Sequence, residues 1–286
     1  LLALRLVRQQ IPVVAGVLTE RGGQELLAAA NNSKLLHVLP LDVSSDASVQ
    51  EFSQRVGEHV GSAGIWGVVC NAGILGATGP DELLAVDDYI RTMQVNTFGV
   101  MRFVHGLVDL VKIQRGRIVI IASVSGRTPR PTVGPYCVSK HAVEAYADVI
   151  RHELLDFGVS VHVLEPGFFA TNITQSATAN LDAVWERAPQ QKKDVFGKRF
   201  FDQYVEGRRS ALSHCYPDLT PVVDAYERAL FARFTLSRYW VGLDAIFFYI
   251  PLATLPTEIQ NLVIRFQRRA RPLPQTARPT TLLGLF

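Results

Sequence analysis

A tyrosine and a lysine four residues apart, Tyr136 and Lys140, follow a serine, Ser123, and an asparagine, Asn96, in a chain of 286 residues. Residues at i and i+4 of a helix share one face, so the phenol and the ammonium can act on one small site. The ammonium favours the phenolate and draws a phenol of ordinary pKa about 10 toward working pH. A phenol tuned in this way exchanges a proton with a substrate hydroxyl or carbonyl. Ser123 can donate a second hydrogen bond to the same oxygen. Tyr-x-x-x-Lys by itself is a short pattern that chance supplies, a packed tyrosine and an exposed lysine on one helix. The elements that would position it decide its meaning.

Those elements alternate. Residues 1–8 (LLALRLVR) read as an amphipathic helix, and 12–18 (PVVAGVL) as a short apolar strand suited to a parallel sheet. A helix around 23–30 follows, then a strand at 35–41 that closes in Asp42. Residues 45–60 are helical behind a Ser45 or Asp46 cap, and the strand 65–70 runs into Asn71-Ala72-Gly73. A long helix over 87–112 carries Asn96, and the strand 117–122 ends at Ser123. The helix 134–157 carries Tyr136 and Lys140, and the strand 159–164 ends at Glu165-Pro166-Gly167. This alternation predicts an α/β fold with a Rossmann-type, doubly wound parallel sheet. Such sheets bind ligands at the carboxyl ends of their strands, where Asp42, Asn71, Ser123 and Pro166-Gly167 all fall. Singly these are ordinary turn residues and breakers. Their joint placement is what carries the argument.

Composition narrows the classes. A formal net charge of +3 gives no case for nucleic acid. The three scattered cysteines, Cys70, Cys137 and Cys215, suggest neither a disulfide framework nor a metal site. His105, His141 and His152 lack metal-ligand spacing.

Over residues 1–175 the chain resembles the short-chain dehydrogenase/reductase family. The resemblance rests on Leu41-Asp42-Val43, Asn71-Ala72-Gly73, Val95-Asn96-Thr97, Ser123, Tyr136 with Lys140, and Pro166-Gly167 with Thr171. It implies that Tyr136 is the acid/base and that Ser123 binds the reacting oxygen. Lys140 would hold the nicotinamide ribose and lower the tyrosine pKa, and Asn96 would hold a water of a proton relay. It further implies that Asp42 and Val43 meet the adenine and that Asn71, Ala72 and Gly73 line the cofactor cleft. Pro166 and Gly167 would also bind the cofactor, with Thr171 on its carboxamide. Cys70 stands where the family usually has a further asparagine. Ser125 lies near enough to be mistaken for Ser123, and the thirteen-residue spacing to Tyr136 favours Ser123.

A glycine-rich phosphate loop after a first strand is expected of this fold. Nothing of the kind precedes Pro12. The expectation is therefore a record that starts inside the first helix, with strand one and the glycine loop missing, and that does not bind cofactor productively.

Leu18-Thr19-Glu20, Tyr136-Cys137-Val138-Ser139-Lys140, Pro217-Asp218-Leu219-Thr220 and the stretch from Arg238-Tyr239 to Ala245 resemble the retinol and hydroxysteroid dehydrogenase branch. This implies NAD, with NADP left open, since Glu20 and Arg21 both follow the first strand. It implies a lipophilic alcohol or ketone as substrate, retinol first and 3α- or 17β-hydroxysteroids as the alternative. It also implies an endoplasmic reticulum membrane location and admits a homodimer. A non-catalytic lipid-binding protein that retains the fold is the reading from another class; the intact tetrad speaks against it. The aromatics of 168–250, among them Phe168, Phe169, Trp185, Phe196, Phe200, Phe201 and Tyr204, are enough to wall an apolar pocket or to pack helices. The expected organisation is a dehydrogenase domain over 1–240, an apolar segment over 241–266 and a disordered basic tail over 267–286. Asp244, Pro251, Pro256 and Glu258 break the apolar segment, which fits a membrane surface better than a span.

Overall fold

Short β-branched runs become strands here and the amphipathic stretches between them become crossover helices. In the computed structural model, which describes residues 1–175, 181–268 and 273–277, α1 (Leu2–Arg8) leads to β1 (Val13–Val17), α2 (Glu20–Ala29), β2 (Leu36–Pro40) and α3 (Asp46–Val60). Then come β3 (Gly67–Cys70), α4 (Val86–Met93), α5 (Gly99–Gln114), β4 (Arg117–Ile121), α6 (Gly134–Glu153) and β5 (Ser160–Pro166). The remainder comprises α7 (Asn172–Gln175), α8 (Leu181–Arg187), α9 (Gln190–Phe196), α10 (Lys198–Ser213), α11 (Thr220–Phe231), β6 (Arg238–Val241), α12 (Ile250–Ala253) and α13 (Thr257–Arg268).

All strand pairs are parallel, as the alternation predicts. They form two ladders, β1-β2 and β3-β4-β5-β6. Val14, Leu39 and Leu41 of the first ladder pack against the core of the second, which holds Val68, Ile118, Ile120 and Val163 between α5 and α6. On the other face, Val119 and Leu164 meet Leu6 of α1, with Ala225, Tyr226 and Ala229 of α11. The sheet is thus covered on both faces, as a parallel sheet must be.

The helix expected over 87–112 is continuous but not regular. Between α4 and α5, residues Gln94–Phe98 form one π-helical turn, with Asn96 and Thr97 buried in it. Such a bulge re-aims side chains and recurs at functional sites. The aromatics of α8 to α10 mostly pack among themselves: Trp185 stacks on Phe201 at 4.6 Å, in a satellite core with Phe196 and Tyr204. That outcome matches helix packing rather than a pocket wall. Of the stretch 267–286, residues 273–277 are described, and Gln275 and Thr276 hydrogen-bond the backbone of Phe196 and Val195; most of the rest lies outside the described residues. Among the described residues no helix is long and apolar enough to cross a membrane.

Candidate active site

β4 ends at Ile121, and Ser123 follows in extended backbone with its hydroxyl accepting from Ser125 N at 3.1 Å. α6 starts at Gly134, with Pro135 in its first turn, where the missing N–H costs nothing. This places the Tyr136 phenol in hydrogen-bonding reach of the Ser123 hydroxyl. Ser125 is instead turned to Arg130, accepting from Nη2 at 3.2 Å. The thirteen-residue spacing therefore picked the serine that faces the phenol.

Lys140 is 2% exposed. Its Nζ donates to Ile121 O at 2.8 Å and lies 5.7 Å from the centre of the Tyr136 ring. Burial pulls its pKa down to about 8, opposed by Glu144 and Cys70. Tyr136 behaves differently from the sequence expectation. Its pKa is pushed up, chiefly by burial, against the hydrogen bond from Ser123 and the charge of Arg130. The cation that opposes burial at the phenol is Arg130, a residue to which the motif gives no attention.

Asn96, fully buried, donates from Nδ2 to Ile74 O at 2.8 Å and to Ser139 Oγ at 2.9 Å, and its Oδ1 accepts from Ile74 N at 2.8 Å. Both amide hydrogens are committed to protein, so here Asn96 ties the turn after β3 to α6. Thr97 adds a bond to Ser139 O at 3.0 Å. The π turn is what brings two consecutive side chains to α6.

The expected cofactor residues line the same strand ends. Asp42 Oδ1 accepts from Ser44 N at 2.9 Å and Ser44 Oγ at 2.6 Å, and these bonds hold its carboxyl below the usual range. Val43, Asn71 and Ala72 border a cavity of ≈ 30 Å³ with Val69, Val95 and Gly99. Asn71 Oδ1 accepts from the Tyr226 hydroxyl at 2.8 Å. Gly73 leaves open a cradle that a side chain would fill: an added Cβ would sit 3.3 Å from Asn96 Oδ1 and 3.8 Å from Lys140 Nζ. Pro166 ends β5, and Gly167 N donates to Val241 O at 2.8 Å. Thr171 N donates to Thr174 Oγ1 at 2.9 Å at the start of α7. A nicotinamide ribose fits this donor set, because Lys140 has further ammonium hydrogens beside a bare glycine backbone.

Three contributors escaped the motif reading. Asp244 Oδ2 accepts from Phe168 N at 2.8 Å, and an added Cβ on Gly167 would meet its Oδ1 at 2.0 Å, so Asp244 holds the 167–168 turn. Glu144, one turn beyond Lys140 on α6, shares Arg238 with Glu165: Arg238 reaches Glu144 Oε2 at 3.1 Å and Glu165 Oε1 at 3.1 Å. Arg238 also pairs with Asp148 at 2.8 Å, clamping β6, β5 and α6 behind the site. Arg130 is the third. The signal for these was available only as charged residues inside apolar elements, Glu144 and Glu165 above all. Among the described residues no cluster could hold a metal ion.

Comparison with known proteins agrees with this geometry. Residues 1–182 match the family model described as short chain dehydrogenase. The chain is 40% identical to rat (Rattus norvegicus) retinol dehydrogenase 7 over 266 residues, covering 92% of this chain and 83% of that protein. It is 38% identical to human (Homo sapiens) 17-beta-hydroxysteroid dehydrogenase type 6 over 280 residues, covering 97% and 86%. Among solved structures, a short-chain dehydrogenase from Streptomyces avermitilis superimposes with a TM-score of 0.71 at 19% identity, covering 93% of this chain and 91% of that one. A short-chain dehydrogenase/reductase from Burkholderia phymatum, solved with NAD, gives 0.69 at 20% identity, covering 97% and 93%. A Rossmann-type parallel sheet, a serine against a tyrosine with a lysine one turn on, and relatives across nearly the whole chain together place this protein in the short-chain dehydrogenase/reductase family, the oxidoreductases acting on CH–OH donors.

Proposed function

We propose that this protein oxidises a lipophilic secondary or allylic alcohol, retinol first, with Tyr136 as acid/base and NAD as oxidant. The observation that carries the reading is the Tyr136 phenol in reach of the Ser123 hydroxyl with Lys140 one turn further along α6. Ser123 and Tyr136 together grip the substrate oxygen and fix the carbinol carbon in line for transfer. Tyr136, as phenolate, takes the hydroxyl proton as the carbonyl forms. When bound, the nicotinamide accepts the hydride that leaves the carbinol carbon. Lys140 would hold the ribose edge, and the charge of Arg130 favours the phenolate. Asn96 keeps the turn after β3 against α6, so that Gly73 stays open beside Lys140.

The choice of NAD is supported by the end of β1. Glu20 stands in the first turn of α2, where it suits a ribose hydroxyl, beside an exposed Arg21 that would suit a 2′-phosphate. Association with a membrane surface is supported by exposed Leu243, Ile246 and Phe247 together with Ile259, Leu262 and Phe266 of α13. A hydroxysteroid substrate is the second reading, favoured by the human relative named for it, which aligns over 97% of the chain. Parallel assays of NAD reduction with all-trans-retinol and with 3α- and 17β-hydroxysteroids, in protein supplied with the expected first strand and glycine loop, separate the two. Turnover by Tyr136→Phe equal to that of the wild type overturns the acid/base assignment, and turnover of neither alcohol overturns the substrate class.

A further inference from the structure

Glu165 is a fully buried carboxylate in the apolar strand β5, immediately before Pro166 and Gly167. Its Oε1 accepts from two guanidiniums, Arg238 Nε at 3.1 Å and Arg127 Nη1 at 3.2 Å. Arg238 leads to α6, where it also holds Glu144, one turn beyond Lys140. Arg127 leads the other way. It directly follows the short helical turn Val124–Gly126, whose N-cap is Ser123. Through two arginines, one carboxylate thus joins the segment that carries Ser123, the helix that carries Tyr136 and the strand end expected to meet the cofactor.

A buried ion pair is a weak source of stability, and Glu165 Oε2 has no donor at all. What such a group can supply is one fixed geometry, and here that is the geometry of the Ser123 turn. Ser123 stands in extended backbone, φ −175° and ψ 160°. Gly126 N donates to Ser123 O at 2.8 Å and Ser125 N to Ser123 Oγ at 3.1 Å. Those bonds fix the shape of the turn but not its distance from α6. Gly126 sets that distance on one side, because an added Cβ there would come 2.9 Å from Lys140 O and 3.1 Å from Glu144 Cγ. Arg127 sets it on the other by fastening the end of the turn to β5.

We propose that Arg127 and Glu165 are positioning residues that hold the Ser123 hydroxyl at the Tyr136 phenol, an inference that rests on the acid/base reading of Tyr136 above. Neither residue touches substrate or cofactor; both act through the serine. A displacement of about 1 Å near the reacting atoms can cost about 10²-fold in rate. Arg127→Met should therefore lose roughly 10- to 100-fold in kcat, short of the loss from removing the serine hydroxyl outright. The Arg127 side chain is 33% exposed, and in Arg127→Met the cation of Arg238 remains on Glu165. The variant is expected to fold, which a melting curve checks.

The first measurement needs neither cofactor nor substrate. Ultraviolet difference titration, with Tyr136→Phe as the blank, reads ionisation of the Tyr136 phenol. The hydrogen bond from Ser123 lowers that pKa, while Arg130 and Cys137 act on it from the adjoining loop and helix. Arg127→Met should raise it, as Ser123→Ala should, and should add nothing in the Ser123→Ala background. The second measurement is kcat for the same set of proteins, supplied with the expected first strand and glycine loop. The loss caused by Arg127→Met should vanish once Ser123 is alanine. A phenol that titrates in Arg127→Met as in the wild type overturns the proposal. So does a loss of kcat that persists undiminished in the Ser123→Ala background, which marks a purely structural arginine. Turnover of no alcohol overturns the oxidative reading instead, and the titration then decides the positioning.

Discussion

Replacing Glu144 by glutamine should make the protein more stable at alkaline pH and leave it nearly unchanged in acid. Glu144 is 5% exposed and Glu165 fully buried. Arg238 serves one oxygen of each, and Glu144 Oε1 and Glu165 Oε2 are left without a donor. The two carboxyls lie close enough to hydrogen-bond, so a proton on Glu144 supplies the missing donor. Burial first, and the charge of Glu165 second, push the Glu144 pKa from 4.5 up to about 8, against the pull of Arg238. The folded state thus keeps a proton that the unfolded chain releases above pH 4.5. A raised pKa contributes stability in full below the unfolded value and loses it as pH climbs through the folded value. At about 1.4 kcal/mol per pH unit the upper limit is about 5 kcal/mol, and a proton shared by two carboxyls brings the expectation to about 2–4 kcal/mol. Glutamine carries a permanent donor in place of that proton. Urea unfolding from pH 5 to pH 8.5 should show wild type and Glu144→Gln within about 1 kcal/mol at the acid end, then diverge in favour of the variant. A difference that stays constant across this window, or a variant that loses ground as pH rises, refutes the shared-proton account.

Oxidation should accelerate toward alkaline pH, because burial holds the Tyr136 phenol above its ordinary pKa and the phenolate is the base; a flat kcat profile between pH 7 and pH 10 contradicts this. Ser123→Ala should lower kcat by about 10²- to 10³-fold with little change in thermal stability, as loss of one oxyanion donor does elsewhere, checked by steady-state kinetics and a melting curve. Asn96→Ala leaves the Ile74 amide and carbonyl and Ser139 Oγ without their partner, so it should destabilise by about 2–4 kcal/mol in denaturant unfolding, with activity falling in parallel. Gly167→Ala drives a methyl into the Asp244 carboxylate and should raise KM for the dinucleotide more than it changes the melting temperature, read by kinetics and calorimetry side by side.

Periodicity made five of the six strands legible, because each of β1 to β5 is a short, mostly apolar run bounded by turn residues. β6 escaped, since the four residues Arg238–Val241 alternate charge, tyrosine, tryptophan and valine, and their pairing is set by β5 rather than by local preference. The long helix was visible, but its π turn was not. Nothing in Gln94–Phe98 forbids a regular helix, and the bulge is held by the bonds of Asn96 and Thr97 to α6, more than forty residues downstream. For the site, spacing within one helix and one strand end located Tyr136, Lys140 and Ser123. Contributions from Arg130, Glu144, Arg238 and Asp244 depend on which elements meet in space, and no local pattern records that.

The distribution of charge around Tyr136 follows from the same distinction. Lys140 is fixed by helical spacing, yet its ammonium is bound to the carbonyl of Ile121 and stands 5.7 Å from the phenol ring. Arg130 has no fixed spacing to the tyrosine, yet its charge is the one that lowers the phenol's pKa against burial. A guanidinium that stays charged at every working pH is a steadier partner for a phenolate than an ammonium drawn down to about 8. Arg130→Met removes that help and should move the alkaline limb of the rate profile upward. An alkaline limb unmoved in Arg130→Met would separate Arg130 from the proton transfer and leave Lys140 to act alone.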